Sequence, residues 1–309
     1  MLKLSVLLVT YNHSDYIMES LESILMQKVN FDYKIVVADD CSTDNTVEII
    51  KEYEKKSSIP FVYLDNSKNL GITKNYKRSF KACDTEYVAV IEGDDVWTDP
   101  LKLQKHIDFL DNHHECVMSF NRYVVAKYET AEFHIQPHWA PAGEFQYISA
   151  RDIVTDNLIG NFSTCVYRKS SLDKLPDDLF EMTVYDWMTN IMVAKTGFVA
   201  YLSDVMSIYR LHPKGQWSGA DQEKNIRNTM EAIDIYNKYT NYTFNCEFSA
   251  HKARLEAQLL SNKAQKAVDA VKTSRATGAL ILLKELTPPL IKVILKMLIP
   301  EKIIQKISK

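Results

Sequence analysis

The sequence predicts an α/β fold with a doubly wound, mostly parallel sheet, and three observations predict it. Apolar runs of strand length alternate with amphipathic stretches of helical period through the first 115 residues. The runs are apolar at nearly every position, as in strands covered on both faces. Polar, acidic loops follow several of these runs at the same end, which in open α/β sheets is the ligand-binding edge.

Taken in order, Lys3 to Thr10 reads as a buried strand, followed from about Ser14 by a helix with Ile17, Leu21, Ile24 and Leu25 on one face. The alternation continues as strand 33–38, helix 44–56, strand 60–65, helix 71–83, strand 86–91 and helix 100–112. Strands separated by helices of this length form βαβ units with parallel neighbours, so loops 11–13, 39–43 and 92–98 share the carboxyl edge. Beyond residue 115 the rhythm changes to a long strand, Cys116 to Tyr128, and then an irregular stretch with Pro137, Pro141 and Gly143. A helix near 184–196 precedes strand-like segments 198–202 and 205–210. Residues 221–240 and 246–275 read as helices, free of Pro and Gly.

Composition narrows the function. A net charge of -3 from 37 basic and 40 acidic residues lacks the basic footprint of a nucleic-acid binder. Five scattered cysteines, none in C-x-x-C spacing, argue against a disulfide framework or structural zinc and for a reducing compartment. The apolar start is too short, and lacks the basic lead, for a secretory signal. No uninterrupted apolar run approaches the ~20 residues that span a bilayer. The expectation is a cytoplasmic protein.

Chemistry concentrates in two acidic clusters. Asp39-Asp40 follows Ile35-Val36-Val37-Ala38, and Glu92-Gly93-Asp94-Asp95 follows Tyr87-Val88-Ala89-Val90-Ile91. Carboxylates crowded at a strand end repel one another, and a divalent cation or polar ligand relieves that repulsion. Asp44 or Thr43 suffices to cap the following helix, so capping does not use up the first pair. The pattern points to a metal-assisted nucleotide site.

Ser5-Val6-Leu7-Leu8-Val9-Thr10-Tyr11-Asn12, then Asp39-Asp40-x-Ser42-x-Asp44, resembles the opening of family 2 glycosyltransferases. Asn69-Leu70-Gly71, Asp94-Asp95, Tyr185-Asp186-Trp187 and Tyr209-Arg210-x-His212 continue the likeness in the family's order, over residues 4 to about 218. The resemblance implies a GT-A fold, a nucleotide-sugar donor, a manganese or magnesium ion and inversion at the anomeric carbon. It implies a nucleotide-sugar-binding half at 1–115 and an acceptor-binding, catalytic half at 116–219 of the same domain. A helical extension at 220–277 and a basic amphipathic tail at 278–309 lie beyond it.

By the same resemblance, Thr10, Tyr11 and Asn12 line the nucleotide, the tyrosine ring stacking on the base. Asp40 matches the aspartate that reads the base edge, with Asp39 beside it toward the ribose. A carboxylate accepting the uracil imide N–H favours a UDP-linked donor. Either Glu92 or Asp94 can be the leading acid of the metal motif; position in the block favours Asp94 near the ribose and Asp95 as direct metal ligand, while Gly93 lets the backbone approach the donor. Asp186 matches the general base, although a helix start lowers a carboxyl pKa and burial must offset that. His212 is a further metal or phosphate ligand, Arg210 a charge partner, and Lys74 and Arg78 phosphate contacts; an exposed helix face or a structural histidine are the plain alternatives.

Rival functions fare worse. A sugar-phosphate nucleotidyltransferase needs a Gly-rich loop after the first strand, where this chain has Thr10-Tyr11-Asn12-His13; a dehydrogenase fails for want of G-x-G-x-x-G. A non-catalytic scaffold of the same fold is opposed by intact Asp95 and Asp186. In the tail, Lys292 and Lys296, then Lys302 and Lys306, punctuate Leu/Ile-rich helical stretches broken by Pro288-Pro289 and Pro300. Such helices suit an anionic membrane surface, or packing on the enzyme or in a homo-oligomer. The acceptor is expected to be a glycan or lipid-linked sugar, its identity open.

Overall fold

The computed structural model describes residues 2–183, 185–215 and 221–272, with side chains as far as 266. The chain divides into two compact units, Met1–Ala220 and Asp221–Lys309.

In the first unit, β1 (Leu4–Thr10), α1 (Ile17–Leu25), β2 (Tyr33–Asp39), α2 (Thr46–Glu54), β3 (Phe61–Tyr63), α3 (Ile72–Ala82) and β4 (Tyr87–Glu92) realise the alternation read from the sequence. β1 pairs in parallel with β2 and β4, and β2 with β3. Every residue of β1 and β2 is buried, which explains their unbroken apolar character. Leu4, Val6, Leu8, Ile35, Val37, Ala89 and Ile91 face Ile17, Leu21, Ile24 and Ile50, with Leu103, Ile107 and Leu110 of α4 (Lys102–Asn112). Each such aliphatic side chain contributes about 1.5–3 kcal/mol on burial, which is what holds the helices to the sheet. On the other parity Leu7, Val36, Val88 and Val90 are buried too, and α3 is tied to β2 by Asn75 Nδ2 donating to the Ala38 carbonyl at 3.0 Å.

Past α4 the chain adds β6 (Cys116–Lys127), β7 (Glu132–Gln136), β8 (Phe145–Ile148), α5 (Ala150–Thr155), β9 (Cys165–Arg168), α6 (Lys169–Leu172), α7 (Asp186–Ala194) and β10 (Phe198–Arg210); a short β5 (Val96–Trp97) follows β4. The sheet order is β3-β2-β1-β4-β9-β6-β10-β5, with β7 on β6 and β8 on β10. β9 runs antiparallel between β4 and β6 and joins the two halves into one sheet. The two segments expected at 198–202 and 205–210 are one strand. Its register against β6 shifts between Leu202 and Val205, so the polar Ser203-Asp204 interruption is a bulge rather than a strand end.

The second unit holds α8 (Gln222–Tyr239) and α9 (Asn245–Lys272), as the helix-rich composition predicts. Asp221 caps α8 by accepting from Glu223 and Lys224 N–H groups at 3.1 and 3.2 Å, and Lys252 pairs with Asp234 at 2.6 Å. Among the described residues no helix is long and apolar enough to cross a membrane. The amphipathic tail at 278–309, with its membrane and oligomer readings, and Trp217-Ser218 lie outside the described residues.

Candidate active site

The loops after β1 and β2 are laced together. Asn12 takes the left-handed conformation, φ 56°, that asparagine tolerates better than most residues. Its N–H donates to Ser42 Oγ at 2.8 Å and its Oδ1 accepts from Thr43 N–H at 2.7 Å. One residue on, His13 N–H donates to Thr46 Oγ1 at 2.9 Å, and Asp44 accepts from Ser14 and Thr46 N–H groups at 3.1 and 3.0 Å. Asp44 thus ties the loop ahead of α1 to the start of α2. Burial opposes its ionisation, but these bonds prevail and its carboxyl falls to about 2. Beside this knot Tyr11 projects its ring, 44% exposed, at the carboxyl edge.

Asp39 and Asp40 lie at that edge but face inward. Asp39 Oδ1 accepts from Ser42 Oγ at 2.5 Å, and Oδ2 from Ser42 N–H at 2.9 Å and Asn66 Nδ2 at 3.1 Å. Asp40 Oδ1 and Oδ2 accept from the N–H groups of Leu70 and Gly71 at 2.8 and 2.9 Å. At 2% and 5% exposure, both carboxylates shape the loops around the edge. Lys74 is exposed on α3, whereas Arg78 is committed to the Asp39 carbonyl at 2.9 Å and Asn75 Oδ1 at 2.8 Å.

The second acidic cluster separates its members. Asp94 Oδ2 lies 3.0 Å from His212 Nε2 and 3.6 Å from His13 Nε2. Burial pushes the Asp94 carboxyl up, yet the two imidazoles outweigh it and hold the group below its ordinary value. Asp95, expected as a direct ligand, is fully buried and turned the other way. Its Oδ1 accepts from the Arg210 N–H at 3.1 Å and its Oδ2 from Ser163 Oγ at 2.5 Å. Burial first, then Asp94 and Glu92, raise its carboxyl well above the ordinary value. Glu92 accepts from the Tyr76 hydroxyl at 2.9 Å; burial, then Asp94 and Asp186, push it up to about 8.

Gly93 is also required by packing within the protein. A Cβ there would meet Thr10 Oγ1 at 2.8 Å, His13 Nδ1 at 2.9 Å and Ile17 Cδ1 at 2.9 Å, so the glycine lets the loop pack on β1 and α1. Gly93→Ala is expected to destabilise the protein by about 1–3 kcal/mol, the usual cost of overpacking, as read by urea denaturation.

Asp186 opens α7, held onto α5 by Trp187 Nε1 donating to the Ile153 carbonyl at 2.7 Å. Burial raises its carboxyl to about 6 against the bonds from the Trp187 N–H and the Asn157 side chain, which pull it down. Its Oδ2 is buried without a hydrogen-bond partner among the described residues. Burial first, then the charges of Asp95, Glu92, Asp94 and Asp186, raise the Tyr209 hydroxyl well above its ordinary value. Arg210 Nη2 pairs with Glu19 at 2.6 Å, its guanidinium 5.0 Å from the Tyr16 ring centre and 5.6 Å from that of Tyr128. His13, Tyr76 and Ser163 were missed as site residues. Only His13, inside the loop after the first strand, carried a readable signal.

A largely parallel sheet with acidic and histidine side chains gathered at its carboxyl edge defines an α/β protein of the GT-A class. A model of glycosyl transferase family 2 matches residues 5–175, and the chain belongs to that family. It is 32% identical over 217 residues to an uncharacterised protein of Mycobacterium tuberculosis, a match taking in 70% of this chain and 61% of that relative, so the chain spans under two thirds of the relative's length. The solved Staphylococcus aureus TarS structure with UDP-GlcNAc aligns with TM-score 0.59 and 22% identity over 84% of this chain and 72% of that one. A Pyrobaculum calidifontis mannosyltransferase in complex with GDP-Man and Mn2+ aligns with TM-score 0.57 and 15% identity over 95% and 84%.

Proposed function

We propose that the protein is a metal-dependent, inverting glycosyltransferase that moves a sugar from a UDP-linked donor to a hydroxyl of a glycan or lipid-linked acceptor. The observations that support it best are the Asp94–His212 pair at the end of β4 and a buried Asp186 whose Oδ2 has no hydrogen-bond partner among the described residues. The Asp94 carboxylate suits manganese or magnesium shared with a diphosphate, and the His212 imidazole beside it favours manganese, the softer of the two. Among the described residues no three His, Cys, Asp or Glu side chains are grouped to hold an ion alone, which fits an ion bound together with the donor. When bound, the cation supplies positive charge against that growing on the departing nucleoside diphosphate.

In this reading Asp94 and His212 hold the cation, and Asp95 anchors the turn instead of ligating, because protein donors occupy both its oxygens. Asp39 and Asp40 hold loops 41–43 and 66–71 as walls of the nucleoside pocket, and Tyr11 offers the stacking face. Asp186 takes the proton from the acceptor hydroxyl through Oδ2 as that oxygen attacks. Direct displacement with one base leaves no covalent intermediate, so the product anomer is inverted. The test is manganese binding with and without UDP. UDP is expected to tighten it by roughly 10-fold or more, Asp94→Asn to remove the gain, and GDP or ADP to give less. Equal affinity with and without nucleotide overturns the arrangement, and a preference for GDP moves the donor to a guanine-linked sugar.

A further inference from the structure

Ser163 lies in the 3-10 turn Phe162–Thr164 ahead of β9, about seventy residues beyond the acidic block, yet its bonds go to that block. It is fully buried. Its hydroxyl donates to Asp95 Oδ2 at 2.5 Å and accepts from the Glu92 N–H at 3.0 Å, while its carbonyl accepts from Trp97 Nε1 at 2.8 Å. The turn is itself braced. Asn161 Oδ1 caps it by accepting from the Thr164 N–H at 3.2 Å, and the Thr164 carbonyl accepts from Lys102 Nζ at 3.2 Å. Asp94 sits between the two residues that the Ser163 hydroxyl grips, in a turn closed by the Asp95 N–H donating to the Glu92 carbonyl at 2.9 Å. From Asp95 the chain of bonds continues through Oδ1 to the Arg210 N–H, two residues before His212.

We infer that Ser163 is a positioning residue for the cation site: by bridging Glu92 and Asp95 it sets Asp94 in register with His212. The inference rests on the glycosyltransferase reading above. A fully buried hydroxyl with a donor and an acceptor bond already made has no call to meet substrate, so its influence must pass through the groups it holds. Without it, Asp95 Oδ2 stays buried with no donor and the Glu92 N–H loses its acceptor, and the turn shifts to satisfy them. Asp94 moves with the turn, whereas the nucleoside walls at 41–43 and 66–71 do not depend on it. Two residues without a direct bond to the cation, Ser163 and Asp95, thus join the β4 loop to the end of β10.

The experiment is calorimetric titration of manganese into the UDP-saturated full chain, with urea stability measured alongside. Ser163→Ala is expected to weaken manganese binding by roughly 10-fold, the lower end for outer partners of a metal ligand, and to leave metal-free UDP binding unchanged. Ser163→Thr, which keeps the hydroxyl, is expected to restore most of the affinity. Should the alanine variant fail to fold, Ser163→Cys keeps the size with a weak donor and is expected to fall between wild type and loss. Wild-type manganese affinity in a folded Ala or Cys variant, or a folded Thr variant as weak as Ala, overturns the inference. If the wild-type chain shows no gain from UDP, the donor-site reading itself fails, a result distinct from a variant that merely matches a nucleotide-responsive wild type.

Discussion

Asp186→Asn is expected to lower sugar transfer by roughly 10²–10⁴-fold while UDP and manganese still bind, the usual contribution of a positioned base. Asparagine keeps the size of the side chain and most of its hydrogen bonding but cannot accept the acceptor's proton. The pH profile adds a second readout. Burial lifts this carboxyl from 3.8 to about 6, and only the ionised form is a base, so wild-type transfer should climb as pH rises through about 6 and then level off. The variant should lack that limb. Stability runs the opposite way: the folded carboxyl holds its proton more tightly than the unfolded one, so stability falls as pH rises from about 4 to 6 and stays low above. The Asn variant should therefore be no less stable than wild type at pH 7. Near-normal turnover, or a product with retained configuration, removes Asp186 from the base role.

Lys102→Met is expected to change how stability depends on pH. Lys102 is fully buried, its Nζ against Asn121 Oδ1 at 2.5 Å, His106 Nε2 at 3.2 Å and the Thr164 carbonyl, with the Trp97 ring centre 5.4 Å away. Burial drops the amine from 10.5 to about 7, only partly opposed by Cys165 and Asp99, and the neighbouring His106 is held well below its ordinary value, chiefly by burial and then by Lys102. Between those two values the unfolded chain binds a proton that the folded chain does not. Stability should therefore rise with pH across that window and be lowest below about 7. Relative to the methionine variant, the wild type should gain about 2 kcal/mol between pH 7 and pH 9, read from urea midpoints. Parallel pH profiles for the two would mean that the folded protein keeps this lysine charged without penalty.

The parallel half of the fold was legible because β1, β2 and β4 are covered on both faces and so must be apolar throughout. β9 was not legible. It has four residues, sits in a stretch with no alternation, and exists because β4 and β6 present their edges to it, a tertiary cause with no local signal. β7 was hidden among prolines, though Glu132-Phe133-His134-Ile135-Gln136 does alternate. At the candidate site the sequence shows which residue types the strand ends carry to the carboxyl edge, but not which oxygen faces which partner. Asp94 and Asp95 are neighbours in the chain and point to opposite neighbourhoods; His212, 118 residues from Asp94, decides between them. The unsatisfied Oδ2 of Asp186 is likewise a property of packing around the helix start.

The seat of β9 between β4 and β6 bears on how such a fold can be re-engineered. Residues 1–115 and the strands after them share one ladder of backbone bonds, so the two are not interchangeable modules. A fragment ending near residue 115 would bare the outer edge of β4, an adhesive strand inviting self-association. Exchanging whole halves between relatives would ask a foreign β9 to fit both flanking strands at once. Exchange of sequence is better confined to short loops, such as the turn around Asn157 ahead of β9, on a sheet left intact.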